Sequence, residues 1–238
     1  MSLQIQLIGW ILLLSTVINI SLAIYLWKKR NILIARYLFY LLLAIAIWTF
    51  SAIFETIVTT AELKLLWTQI SSIGMISLPV IYFLFAMAYG QRFRFLNKKS
   101  IISISFLPAL SFIAIWTNSF HHLYYTRIVV DSLTNIATYH HGPGFLINTI
   151  YAYGLLLLGI SVFARSLLQH KSLFRPQIIL MLSGAILPFA GNVFYIFGKS
   201  PIPGLEWTPI FFTFSGLFIT WGIFKYNLLD LIPTARHR

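Results

Sequence analysis

The residues able to do chemistry are few, and they lie within strongly apolar sequence. Glu55 is the one carboxylate inside a predicted membrane-spanning segment, where an ionisable side chain is a functional candidate by default. Trp48 and Glu55 are seven residues apart and therefore share one helix face. Two interpretations of Glu55 stay open. It is an acid near the membrane interface, hydrated or paired with a neighbouring helix, or it is a polar anchor in an outward-facing ligand cavity.

Other polar and aromatic side chains could line the same cavity. Asn192 and Tyr195 lie on one face of the sixth apolar run together with Pro188, which bends a helix and frees a backbone carbonyl. That face packs against other helices, and whether it also lines a pocket stays open. The candidate ligand-cavity residues are Trp48, Glu55, Gln69, Asn192, Tyr195 and Trp207.

Most catalytic and metal chemistry is absent from the sequence. There is no cysteine, and adjacent histidines such as His140 and His141 point to opposite faces of a strand. No HExxH motif, phosphate-binding loop, nucleophile pair or phosphotransfer histidine is present. We therefore expect no enzymatic activity, no metal site and no cofactor in this chain.

Composition excludes a water-soluble domain. Of the 238 residues, 59% are hydrophobic and 9% charged, and the mean hydropathy is +0.85, whereas soluble domains are about one-quarter charged. Seven apolar runs are each long enough to cross a bilayer as a helix. The sequence thus predicts an all-α bundle of seven transmembrane helices. The predicted spans are 7–27, 37–57, 65–89, 101–117, 146–168, 178–198 and 207–227.

The basic residues predict the orientation of these spans. Of the 17 Lys and Arg residues, only Lys64, Arg127 and Lys199 fall on one side of the predicted membrane. Positive charge accumulates on the cytoplasmic side, so the N-terminus is predicted outside and the C-terminus in the cytoplasm. Because the charge is divided among short loops, we expect no nucleic-acid partner.

The segment 118–145 is too long for a simple connection between the fourth and fifth spans. Thr126–Val130 and Ile136–His140 are rich in β-forming residues, and the five residues between them favour a turn. We therefore predict a small β-hairpin over the outer mouth of the bundle.

Several ordered motifs extend over more than 200 residues and together resemble a known family. They are Trp48…Glu55…Leu66-Trp67 with Pro79, the stretches 117–123 and 139–145, Tyr151, Arg175-Pro176-Gln177, Leu187-Pro188, Gly191-Asn192, and the stretches 203–209 and 228–236. In this order they resemble the N-terminal seven-transmembrane sensor region of bacterial histidine kinases, which also occurs on some diguanylate cyclases.

The resemblance implies a sensor in the bacterial cytoplasmic membrane, with residues 1–228 as the sensor and 229–238 as the start of a linker. An extracellular or membrane-borne stimulus would pass through the seventh helix to a cytoplasmic kinase or cyclase, joined in cis or acting in trans, and a homodimer is expected. The hinge and coupling residues would be Pro188, Pro209, Asp230, Pro233 and Arg236.

Three points stay open at this level. An output domain would normally begin where the sequence stops, so the chain is either the sensor portion of a longer product or an orphan receptor. A small-solute transporter or channel would give the same hydropathy, although no inverted repeat is visible. A structural membrane partner without a ligand is the third alternative.

Overall fold

A computed structural model describes residues 3–169, 175–197 and 207–226. Within these ranges the chain forms helices and one small sheet, in the following order: α1 Leu3–Trp27, α2 Leu33–Ile57, α3 Ala61–Tyr89, a 3₁₀ turn Phe93–Leu96, α4 Lys98–Trp116, the single-turn α5 Asn118–His121, β1 Tyr125–Val130, β2 Ala137–His141, α6 Pro143–Gln169, α7 Arg175–Ile196 and α8 Thr208–Tyr226. The predicted all-helical class with a small hairpin is present.

Six of the described helices are long and apolar enough to cross a membrane, namely α1, α2, α3, α4, α6 and α7. The predicted seventh span coincides with α8, which is a helix of 19 residues. Three helices begin four residues earlier than predicted, at Leu3, Leu33 and Ala61. For α3 the reason is a polar first turn, in which the Thr60 hydroxyl accepts a hydrogen bond from the Leu63 amide. Lys64, expected in a connection, therefore lies inside α3.

The long helices form a ring around a common interior. Neighbours in the ring are α1, α2, α3, α6, α7 and α8, and α8 returns to pack on α1, while α4 lies outside against α3 and α6. Consistent with this peripheral place, α4 buries only Pro108, Ser111 and Ile115. The interior is therefore shared by six helices.

The half of the ring opposite the hairpin is solidly packed. Leu38 and Leu42 of α2, Phe163 of α6 and Ile178 of α7 are all 0% exposed. The rings of Tyr82, Phe85 and Tyr89 on α3 surround that of Phe163, with centroids between 5.2 and 6.0 Å away. Among the described side chains, those around Phe163 are therefore closely packed.

The two strands pair antiparallel between α5 and α6, with an irregularity at Thr126. Their turn is closed by Asp131, whose carboxylate accepts hydrogen bonds from the Thr134 hydroxyl and the Leu133 amide. These bonds, the Thr134 hydroxyl first, hold the pKa of Asp131 below its usual value. β1 begins one residue earlier than predicted and ends at Val130 as predicted, whereas β2 is displaced by one residue, as local turn chemistry does not define where pairing begins.

The α2–α3 packing depends on the absence of a side chain at Gly74. A Cβ at Gly74 would lie 2.2 Å from the carbonyl oxygen of Ala44 and 3.1 Å from the amide nitrogen of Trp48. Both contacts are with backbone, which moves only if the two helices separate. Small residues permit this kind of close approach between membrane helices.

Gly74→Ala is expected to lower the melting temperature of the chain in detergent, with a loss of stability of about 1–3 kcal/mol from overpacking. The matched control is Gly154→Ala on α6, where a Cβ meets nothing within 4 Å. The control should match or slightly exceed the wild-type melting temperature. Equal melting temperatures for the two variants would contradict the close approach.

Candidate functional site

A partly open cavity of about 240 Å³ lies inside the ring and extends from the hairpin past the middle of the helices. Its lining comes from α1, α2, α3, α6, α7, α8 and the hairpin. Along α2 it extends from Glu55 to Leu41, which corresponds to about 21 Å at the helical rise per residue. One water needs only ~10–15 Å³ of such space, so the cavity is large enough for a small molecule.

A polar cluster at the hairpin end of the cavity joins three elements, and it consists of Glu55, Lys64, Thr68 and Tyr139. The Tyr139 hydroxyl donates to Glu55 Oε1 at 3.1 Å and lies 2.7 Å from the Thr68 hydroxyl. Lys64 Nζ donates to the backbone carbonyl of Glu55 at 2.6 Å and is 3.8 Å from its Oε1 atom. The cluster thus connects α2, α3 and β2.

Because Lys64 is buried, its charge requires the partners that this cluster provides. The Lys64 side chain is 0% exposed, against 23% for that of Glu55, and a buried charge must be paired and hydrogen-bonded to be tolerated. Burial also raises the pKa of Tyr139 well above its usual value, an effect that the nearby Glu55 carboxylate reinforces. Glu55 is paired with a neighbouring helix and also lines the cavity. That it anchors a ligand in an outward-facing cavity stays a prediction.

The hairpin is held over the cavity by two further contacts. The Asn135 amide donates to the carbonyls of Thr56 and Val58, each at 3.1 Å. At the other end of the hairpin the His141 ring stacks on Phe145, with 3.6 Å between centroids. Burial, and to a smaller extent the neighbouring His140, lowers the pKa of His141 to about 4. His141 is thus neutral at neutral pH.

The opposite wall is stabilised by hydrogen bonds among α6, α7 and α8. Asn192 accepts from the Tyr153 hydroxyl at 2.6 Å and donates to the Thr208 hydroxyl at 3.3 Å. Deeper along the same helices, the Ser215 hydroxyl donates to the carbonyl of Gly184 at 2.7 Å. The end of α7 and the start of α8 are therefore coupled through side chains that line the cavity.

Four of the six predicted cavity residues line this space, namely Trp48, Glu55, Asn192 and Tyr195. Gln69 instead donates to the carbonyls of Ile115 and Trp116 at the end of α4. Trp207 packs against Ile8, Leu12 and Ile210, which line the cavity, but Trp207 itself is not part of the lining. That these residues contact a ligand stays a prediction.

The predicted hinge and coupling residues fall in three places. Pro188 is inside α7 and lines the cavity, whereas Pro209 is the second residue of α8. Asp230, Pro233 and Arg236 lie outside the described residues. The structure therefore places one predicted hinge in the cavity wall and one at the start of the last described helix.

Sequence reasoning missed the partners of Glu55. Lys64 was counted as a loop charge and Thr68 was not considered, although the two are four residues apart on one helix face. Tyr139 was assigned only to the hairpin, and no pattern within its own strand indicates a partner 84 residues away. Only the four-residue spacing of Lys64 and Thr68 indicated, from the sequence, that two of these partners lie on one helix face.

Removing the Tyr139 hydroxyl should loosen the hairpin. Tyr139→Phe leaves the Glu55 carboxylate and the Thr68 hydroxyl without this partner, at a cost of about 1–3 kcal/mol. We expect faster amide hydrogen exchange across residues 125–141 in lipid nanodiscs, measured by mass spectrometry. The control Tyr40→Phe changes a side chain that is 42% exposed and should leave exchange unaltered. Wild-type exchange in Tyr139→Phe would contradict a structural role for the cluster.

Acid should destabilise the chain through His141. Because its folded-state pKa is about 4 and its ordinary value is 6.5, the unfolded state binds more protons between those values. Stability therefore falls as the pH drops from about 6.5 towards 4, and this contribution is absent above that window. In detergent melts, His141→Phe should lose less stability between pH 7 and pH 4.5 than the wild type.

The matched control for this experiment is His140→Gln, since His140 is exposed on the neighbouring strand position. It should keep the wild-type dependence on pH. If His141→Phe loses as much stability on acidification as the wild type and the control, burial of His141 does not govern the acid response.

Comparison with known proteins agrees with the membrane architecture. No curated protein matches the chain in sequence. The family model described as the N-terminal 7TM region of histidine kinase matches residues 11–233, which is most of the chain. The match includes α1 from residue 11 onward, the whole of the other helices that line the cavity, and the hairpin. The chain therefore belongs to the family of N-terminal 7TM regions of histidine kinases.

Proposed function

We propose that this chain detects an extracellular or membrane-borne stimulus in the cavity and passes it through α8 to a cytoplasmic histidine kinase or cyclase. The observation that carries the proposal is the division of the ring into two halves. One part holds a cavity that the hairpin helps to line, and the other contains the fully buried side chains of Leu38, Leu42, Phe163 and Ile178, which do not line the cavity. Such a bundle admits a ligand from one side without letting it through.

The proposed orientation puts the hairpin and cavity outside and the far end of the ring in the cytoplasm of a bacterial inner-membrane protein. Supporting it, two stretches at the far end of the ring carry eight of the 17 Lys and Arg residues: Lys28, Lys29, Arg30, Arg36, Arg92, Arg94, Lys98 and Lys99. Six helices meet the requirements of a membrane span, and α8 is proposed as the seventh. An odd number of spans places the two termini on opposite sides.

Signal transfer would depend on a difference in binding between two packings of α7 and α8. A ligand shifts such an equilibrium only by its differential affinity for the two states, and about 1.4 kcal/mol shifts it tenfold. The contacts that would differ between the two packings are those of Asn192 with Thr208 and of Ser215 with Gly184. On the α2 side the Trp48 ring meets that of Phe212 edge-on, with centroids 5.2 Å apart.

Downstream of α8, the segment containing Asp230, Pro233 and Arg236 is proposed as the coupling to the output. Any kinase or cyclase activity would belong to that output, joined in cis or bound in trans, and the working unit is proposed to be a homodimer. Pro188 in the cavity wall and Pro209 at the start of α8 are placed where bends would alter helix packing.

The closed half argues against a transporter or channel. A transport path needs polar groups through the full membrane thickness, whereas the apolar side chains of Leu38, Leu42 and Phe163, which do not line the cavity, are 0% exposed. A purely structural partner would have no need to keep an unfilled space between its helices. The sensor therefore accounts for both halves of the ring.

Filling the cavity should change the output. Ala152 lines it from α6, so Ala152→Phe places a ring in the space that the stimulus would occupy. In native membranes, with the chain acting on its own kinase or cyclase, we expect basal output to shift about tenfold or the response to be lost. The readout is autophosphorylation or cyclic-dinucleotide formation.

The matched control is Ala109→Phe, which adds the same ring on the exposed surface of α4 and should preserve output. Expression and melting temperature of both variants confirm that they fold. A second cavity variant, Glu55→Gln, changes the charge at the mouth without changing the side-chain shape. If both cavity variants give wild-type output over the full stimulus range, the cavity is not the sensing site.

A further inference from the structure

We propose that the cavity binds an uncharged amphiphile, with a hydroxyl-type head group held by the hydroxyls of Ser71 and Thr149 and an apolar part lying along Leu78 and Met181. This inference rests on the proposed function, since it names the class of molecule that would serve as the stimulus. It is argued from the charge, the free hydrogen-bonding groups and the shape of the lining.

The described lining of this cavity offers no cationic side chain to an anionic ligand. Among the described residues that line it, Glu55 is the only one with a formal charge, and no Lys or Arg contributes. His141 also lines the cavity, but its lowered pKa leaves it neutral at neutral pH. A carboxylate or phosphate would thus lose its hydration without gaining a cationic partner, and it would be repelled by the negative charge of Glu55.

A cationic ligand is disfavoured for a different reason. The Glu55 carboxylate already has Lys64 Nζ at 3.8 Å, and the Lys64 side chain is fully buried. A ligand cation that took the place of Lys64 would leave a buried ammonium without a carboxylate, which is strongly destabilising. The existing pair therefore makes the mouth electrically neutral and favours a neutral guest.

Two hydroxyls are available for such a guest. Ser71 on α3 and Thr149 on α6 line the cavity, and no hydrogen bond joins either side chain to another described residue. Neither hydroxyl is among the fully enclosed polar atoms of the described chain that lack a partner, so they remain within reach of a bound molecule. Each hydroxyl can donate and accept, which suits an alcohol, a ketone or an amide.

The remaining lining suits an extended apolar group. Below the two hydroxyls most of the lining is aliphatic and aromatic, and it continues down to the cavity floor. The hydroxyls of Ser215, bonded to Gly184, and of Tyr82 also lie in this part. The side chains concerned are Leu41, Ile45, Leu78, Phe85, Leu156 and Met181. The cavity length of about 21 Å exceeds that of a compact polar metabolite. A polar head near the hairpin and a chain towards the floor would satisfy both regions.

The test uses three photo-crosslinkable probes that share one alkyl-diazirine chain and end in a hydroxyl, a carboxylate or a trimethylammonium group. The purified chain in phosphatidylcholine nanodiscs is labelled with each probe, and the sites are mapped by mass spectrometry. We expect the hydroxyl probe to label cavity-lining peptides of α3 and α7 at least about tenfold more than the other two. An excess of unlabelled alkyl alcohol should compete with it.

Variants test the head-group site. Ser71→Ala combined with Thr149→Val should reduce labelling by the hydroxyl probe about fivefold to tenfold, because two hydrogen bonds are lost. The control combines Ser77→Ala with Ser161→Ala on the same two helices, where each hydroxyl is bonded to its own helix backbone and neither residue lines the cavity. The control should label like the wild type.

The outcomes separate this inference from the proposed function. Cavity labelling that is equal or stronger with the carboxylate or ammonium probe overturns the inference. So does absence of cavity labelling while Ala152→Phe still alters output, a result that leaves the sensing role intact. Saturable labelling by the hydroxyl probe with unchanged output in Ala152→Phe supports the inference and overturns the sensing role.

Discussion

The buried ammonium of Lys64 constrains the structure around it. A charge that is 0% exposed inside an apolar bundle requires a fixed partner, and Glu55 supplies both a backbone carbonyl and a carboxylate. The same carboxylate accepts the Tyr139 hydroxyl and so determines where the hairpin sits. Because the hairpin residues also line the cavity, the ion pair between α2 and α3 shapes the mouth of the candidate site.

The cavity itself results from where small side chains lie. Ala52, Ala152, Gly184 and Ala185 line it from three facing helices, and a Cβ at Gly184 would approach nothing nearer than 4.0 Å. In the other half, large side chains such as Phe163 fill the equivalent space completely. The bundle therefore combines a rigid, closed half with a half that retains room, and the proposed sensing role depends on this contrast.

Part of the candidate site was predictable from helix periodicity. Trp48 with Glu55, and Asn192 with Tyr195, were placed on common faces by their spacing, and all four line the cavity. Gln69 was also predicted to line the cavity, but it does not, because its amide donates to a carbonyl at the end of α4. The sequence of α3 does not reveal that α4 packs outside the ring. Trp207 likewise packs towards α1. Periodicity identifies which residues share a face but not which neighbour that face meets.

Taken by itself, the sequence determined which helices are long and apolar enough to span a membrane and that a hairpin lies between α4 and α6. In lipid a segment must satisfy its own backbone hydrogen bonds, so a spanning helix can be recognised from its local composition. Tertiary structure alone decided that Glu55 meets Lys64, Thr68 and Tyr139 and that a cavity lies beneath them. Those contacts join segments far apart in the chain, and they depend on how the helices are rotated and packed against one another.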